Sequence, residues 1–126
     1  MSQSSFIEEK SFSLHQKAWS DTDNWEQHLN DALELFRNDD ISLESMSLVA
    51  KNNYAAILLD LNYSKQAFDF LRADILHLQE GYANMAIAVA KTDPNNIDQI
   101  REFNSRSQEL STTEYAITAY MDWMGL

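Results

Sequence analysis

The chain reads as all-α, with about six helices in antiparallel helical hairpins, and three observations predict this. Apolar residues recur in steps of three and four at Leu43, Met46, Ala50, Tyr54, Ile57, Leu58 and Leu61, the period of one helix face. Period-two alternation over a useful length is absent. Only 2 glycines and 1 proline occur in 126 residues, too few for the many turns a sheet protein needs. The length predicts a single all-helical domain over residues 1–126, large enough to bury a core without disulfides or metals.

The first helix is expected from Ser5, where Ser5 and Glu8 have the spacing of a capping box, to about Trp19, with Ile7, Leu14 and Ala18 on one stripe. Ser20 to Asn24 is a turn cluster rich in cap formers. The second helix starts near Trp25, with Asp23 and Glu26 as a box-like pair. It carries Trp25, Leu29, Ala32, Leu33 and Phe36 on one face and ends at Arg37 to Asp40. The third helix takes Ser42 to Leu61, and a short break at Asn62-Tyr63-Ser64 leads into the fourth. The stripe of the fourth (Ala67, Phe68, Leu71, Ile75, Leu78) stays in phase past Gly81 to Tyr82 and Val89. An interior glycine costs only about 1 kcal/mol, so one long helix from about 64 to 91 is favoured over a tight corner at Gly81. Thr92-Asp93-Pro94 is a stop and restart, with Asp93 as cap and Pro94 at the first position of a fifth helix reaching residue 109. Ser111 to Glu114 is a further capping box. The terminal helix after it spreads Tyr120, Met121, Trp123 and Met124 around its circumference, so it either closes the core or forms a homodimer contact. The expected core is Leu29, Leu33, Phe36, Tyr54, Leu58, Leu61, Ala67, Leu71, Ile75 and Leu78.

Leu61-Asn62-Tyr63-Ser64-Lys65-Gln66-Ala67-Phe68-Asp69-Phe70-Leu71 resembles the mid-repeat turn of a tetratricopeptide repeat, in a match covering residues 48–74. Ala67 takes the small position where two helices approach, and Asn62 replaces the usual glycine at a place where asparagine tolerates a left-handed backbone. Tyr54, Ala55 and Leu58 take the packing positions of the first helix and Leu71 the large one of the second. Lys51 and Asp74 depart from the pattern. Ala32 and Phe36 echo Ala67 and Leu71 at an offset of 35, whereas a forward shift of 34 sets Arg101 under Ala67 and the pattern stops. The resemblance implies a right-handed stack of helix pairs that binds peptides or partner proteins as an adaptor or small chaperone, in a groove lined by the first and third helices.

Charge narrows the function classes. The net charge is −11, from 20 acids and 9 bases, and the bases are spread along the whole chain. Nucleic-acid binding and anionic-membrane binding both draw on clustered Lys and Arg, so neither is expected. Cysteine is absent, the start MSQSSFIEEK lacks a secretory signal pattern, and no apolar run approaches the ~20 residues that span a bilayer. A cytoplasmic protein is therefore expected. The segment from Asp21 to Glu44 holds eight acids (Asp21, Asp23, Glu26, Asp31, Glu34, Asp39, Asp40, Glu44) and one base, Arg37. These acids either cap helix starts and solvate an outer face, or form a patch for a partner with a basic surface. The second reading makes the protein an acidic inhibitor or immunity-type protein that covers a basic site on a partner such as a nucleic-acid-binding protein. No enzyme chemistry is expected. His15, His28 and His77 lack a nearby nucleophile motif, two glycines cannot build a phosphate loop, and Asp74-x-x-His77 occurs only once where a bundle metal site needs several such ligands. No metal or cofactor is expected.

Overall fold

Local chemistry sets the helix ends in the computed structural model, which describes residues 3–37, 47–74 and 79–109. All regular structure among these residues is helical, and no strand occurs among them. Helix α1 spans Gln3–Ser20, α2 Trp25–Leu35, α3 Leu48–Asp60, α4 Ser64–Asp74, α5 Gln79–Thr92 and α6 Ile97–Gln108. No described helix is long and apolar enough to cross a membrane.

Several expected boundaries move, each for a local reason. Ser5 lies inside α1 rather than at its start, and the Glu8 carboxylate accepts from the Ser47 hydroxyl. A turn of 3-10 helix, Thr22–Asn24, joins α1 to α2, so Asp23 sits within it rather than capping α2. The start expected at Ser42 lies outside the described residues. Ser47 is itself extended, and its hydroxyl accepts from the Ala50 amide, so α3 begins at Leu48 on a serine cap. Pro94 is not in the first turn of α6. The Asn96 amide bonds the Asp93 carbonyl at 3.0 Å and closes a turn around Pro94 and Asn95, and α6 starts only at Ile97. The terminal helix expected after Ser111 lies outside the described residues.

The α3–α4 turn follows the sequence reading. Asn62 has φ 69°. Its amide bonds the Leu59 carbonyl at 3.0 Å, and the Tyr63 amide bonds the Leu58 carbonyl at 2.8 Å. This pair of bonds around one left-handed residue is the Schellman closure of a helix C-terminus. It turns α4 back along α3, where Ala67 is fully buried.

The single helix expected over 64–91 does not form. Asn52 of α3 meets Asn84 of α5, and Leu59 of α3 meets Lys91 of α5, so α3 and α5 run in the same direction. Since α4 runs against α3, the chain reverses between Asp74 and Gln79. The link at 75–78 lies outside the described residues, and Gly81 is buried inside α5 rather than forming a corner. The apolar stripe hid the reversal because it stays in phase across that link.

The described helices thus form three antiparallel hairpins: α1–α2, α3–α4 and α5–α6. In the third, the Tyr82 ring stacks on Phe103 at 6.3 Å, tying the start of α5 to the second half of α6. Hairpins one and two share a core. Leu29, Ala32, Leu33 and Phe36 of α2 are buried with Ile7, Leu14 and Ala18 of α1 and with Ile57 and Leu58 of α3. Tyr54, only partly buried, sits between Phe36 at 5.0 Å and Phe70 at 5.1 Å and so bridges three helices. Leu61 is also partly buried against this core. The side chains of Leu71, Ile75 and Leu78 lie outside the described residues.

Candidate functional site

Helix α3 is the centre of the arrangement, and its burial is not one-sided as the periodicity predicts. Every residue from Ala50 to Asp60 except Tyr54 is buried, and these include Lys51, Asn52, Asn53 and Asp60. Polar side chains taken out of water this completely need partners. Asn52, Asn53 and Asp60 find them on the two helices that flank α3.

On the α1 side, the Asn53 amide donates to the Glu8 carbonyl and to the Ser11 hydroxyl, both at 3.3 Å. His15 Nε2 meets Asp60 Oδ2 at 2.5 Å with both side chains sealed from solvent. Pairs Glu8–Asn53 and His15–Asp60 are each 45 residues apart in sequence. On the α5 side, the Asn84 amide donates to Asn52 Oδ1 at 2.9 Å, and Lys91 Nζ donates to the Leu59 carbonyl and to Asn62 Oδ1, both at 2.9 Å. Pairs Asn52–Asn84 and Leu59–Lys91 are each 32 residues apart. Each side of α3 therefore carries two polar rungs two helical turns apart, roughly 10 Å along the axis. The rungs fix the register of α1, α3 and α5 as three parallel neighbours. Lys91 has a second effect, because a cation over the last carbonyls of α3 is favoured by the helix dipole.

The His15–Asp60 rung differs from the others. His15 Nδ1 and Asp60 Oδ1 are buried with no hydrogen-bond partner. The imidazole stands edge-on to Trp19, with ring centroids 5.7 Å apart. No solvent reaches the pair in this conformation, so it orders helices and meets no substrate. None of these rung residues was legible as a site in the sequence. The available signals were Lys51, which breaks the tetratricopeptide pattern, and the Asn52-Asn53 pair in an otherwise apolar helix.

The acidic segment sits elsewhere, on the 3-10 turn and the outer face of α2. Asp21 accepts from His28 Nε2 at 2.9 Å and from the Asn24 amide. These hydrogen bonds, His28 first, hold its carboxyl below the ordinary value of 3.8. Asp31 accepts from Gln27 at 2.8 Å, and Glu34 pairs with Arg37 at 2.6 Å. Asp23 and Glu26 are exposed. Asp39, Asp40 and Glu44 lie outside the described residues. The structure thus brings five of the eight acids onto one stretch of surface and engages three of those five in local bonds.

Of residues 50–60 of α3 only Tyr54 is partly exposed, so α3 offers little to line the groove expected between the first and third helices. Among the described residues, a shallow open depression of about 180 Å³ is lined by Phe6, Glu9, Lys10 and Ser13 of α1. Phe6 is 59% exposed there. Among the described residues no three His, Cys, Asp or Glu side chains come together as a metal site. The single Asp74–His77 spacing lies outside the described side chains. No protein-family model, curated protein or solved structure matches the chain, so its function must be argued from this geometry.

Proposed function

We propose that the protein is a non-enzymatic protein–protein interaction module, an adaptor or small chaperone built on tetratricopeptide-like helical hairpins. The observation that carries the reading is the parallel stacking of α1, α3 and α5, the first helices of three successive antiparallel hairpins. Stacked hairpins of this kind present an extended surface made of equivalent faces, which suits them to holding other chains. The polar rungs add to this, since a surface on a fixed framework loses little entropy on binding. The partner surface is assigned to the outer face of α1 around Phe6, because α3 is enclosed.

The second reading, an acidic inhibitor that covers a basic site, draws on Asp23 and Glu26, which stand exposed beside the locally bonded Asp21, Asp31 and Glu34. Affinity capture from the native host at low and high salt separates the two. A discrete protein partner retained at high salt and lost on Phe6→Ala supports the interaction module. Binding that weakens steeply with salt and on Asp23→Lys with Glu26→Lys supports the inhibitor. Capture of no discrete protein at either salt refutes both.

A further inference from the structure

We propose that the first hairpin, α1–α2, is a detachable end of the stack that undocks as a unit along the α1–α3 seam while α3 to α6 stay folded. The observation is the chemistry of that seam. Between α1 and α3 run the Glu8–Ser47, Ser11–Asn53 and His15–Asp60 pairs, all of them buried or partly buried. The last joins two ionisable groups that have lost their water, share one hydrogen bond, and keep one unpartnered atom each. Desolvation of such a pair offsets much of what the contact returns. Opening the seam gives His15 Nδ1 and Asp60 Oδ1 their water back, so separation costs less than parting apolar surfaces of the same size.

Connectivity supports undocking of the hairpin as one piece. Helices α1 and α2 pack chiefly on each other and on α3, whereas α6 packs chiefly on α5, and α5 on α3 and α4. In a stack with neighbour-only contacts, an end unit can open by itself. The core that Ile7, Leu14, Ala18, Leu29, Leu33 and Phe36 share with Ile57 and Leu58 must part with the seam, the Phe36–Tyr54 ring contact included. Undocking exposes the Asn53–Asp60 edge of α3, which is otherwise closed to any partner.

Native-state hydrogen exchange of the full chain under increasing urea tests this. The expected result is that amides in the middle of α1 and of α2, such as His15 and Leu33, share one opening. They should exchange at least roughly tenfold faster than Ile57 of α3 and Ala88 of α5, with a weaker urea dependence because less surface is exposed. The paired substitution His15→Leu with Asp60→Val strengthens a contact absent from both the undocked and the unfolded chain, so it should slow α1 and α2 exchange by about tenfold and α5 exchange by the same factor, keeping the gap between them. Equal protection in all helices, or a graded loss from the chain end with no value common to α1 and α2, overturns the proposal. So does a paired variant that leaves α1 and α2 exchange unchanged, or that closes the gap between them and α5.

Discussion

Removing one member of the His15–Asp60 pair should be far more damaging than removing both. In His15→Leu, the Asp60 carboxyl stays in the interior with its Oδ2 partner gone and its Oδ1 already unbonded. The side chains of the pair are 0% and 2% exposed, so water cannot replace the lost bond without opening the fold. Breaking a buried pair from one side costs about 3–5 kcal/mol. Asp60→Val leaves the ring with both nitrogens unmet, a milder defect of roughly 1–3 kcal/mol. The double variant removes both polar groups and should fold with stability near that of the wild type or above it. Against a total stability of roughly 5–15 kcal/mol, these differences are easily measured. Urea melts of the four proteins at one pH, followed by helix circular dichroism and by tryptophan fluorescence, give the cycle. A coupling energy of at least about 2 kcal/mol is expected. If the double variant loses as much as the two single variants summed, the pair is not coupled, and the seam argument fails with it.

Three further outcomes are expected. Leu58→Ala, at a position only 3% exposed, should cost about 2–5 kcal/mol, and a urea melt showing less than about 1 kcal/mol would refute the core assignment. Asn62→Ala removes both a left-handed residue that tolerates φ 69° and the acceptor of Lys91, and should cost about 1–2 kcal/mol; unchanged stability in a melt would contradict the turn geometry. Asp21 has a folded-state carboxyl below its ordinary 3.8, so its bond to His28 contributes stability above that value and loses it as pH falls through the lower folded one. An NMR titration should place the Asp21 midpoint below 3.8, with His28→Ala moving it up; a midpoint at or above 3.8 in the intact protein would exclude the effect.

What the sequence disclosed was local. The absence of strand signals, the α2 stripe and the turn at Asn62 follow from interactions within a few residues, and these the composition and periodicity could reveal. The α4–α5 reversal was hidden because apolar spacing reports which face is buried and carries no information about chain direction. The start of α3 was missed for a related reason. Leu43 and Met46 continue its period, and only the serine cap at Ser47, a polar event, marks the boundary. The acidic face was legible as charge, but its bonds to His28, Gln27 and Arg37 depend on where α2 and the 3-10 turn place those side chains.

The hairpin stack escaped a repeat scan for a reason the rungs make clear. A tetratricopeptide comparison looks for one period near 34, and at that shift Arg101 falls under Ala67. The steps in this chain are 45 residues from α1 to α3 and 32 from α3 to α5. At 32 the correspondence is direct: Asn52 with Asn84, Ala56 with Ala88 and Ile57 with Val89. Of these, Ala56 and Ala88 are fully buried. The small residues allow close approach of helices, and the asparagines hold the register by bonding each other across the interface. At 45, Ser11 still falls under Ala56, both fully buried, but the rungs are an unlike pair, His15 with Asp60, in place of two asparagines. The α1–α3 interface is therefore chemically distinct from the α3–α5 interface although the topology is the same. One joins helices through the Asn52–Asn84 amide pair and the Lys91 ammonium on the Leu59 carbonyl. The other uses an ionisable pair with two unmet atoms. A stack needing rigidity alone gains nothing from that substitution, so the difference locates the weaker joint of the protein between its first hairpin and the rest.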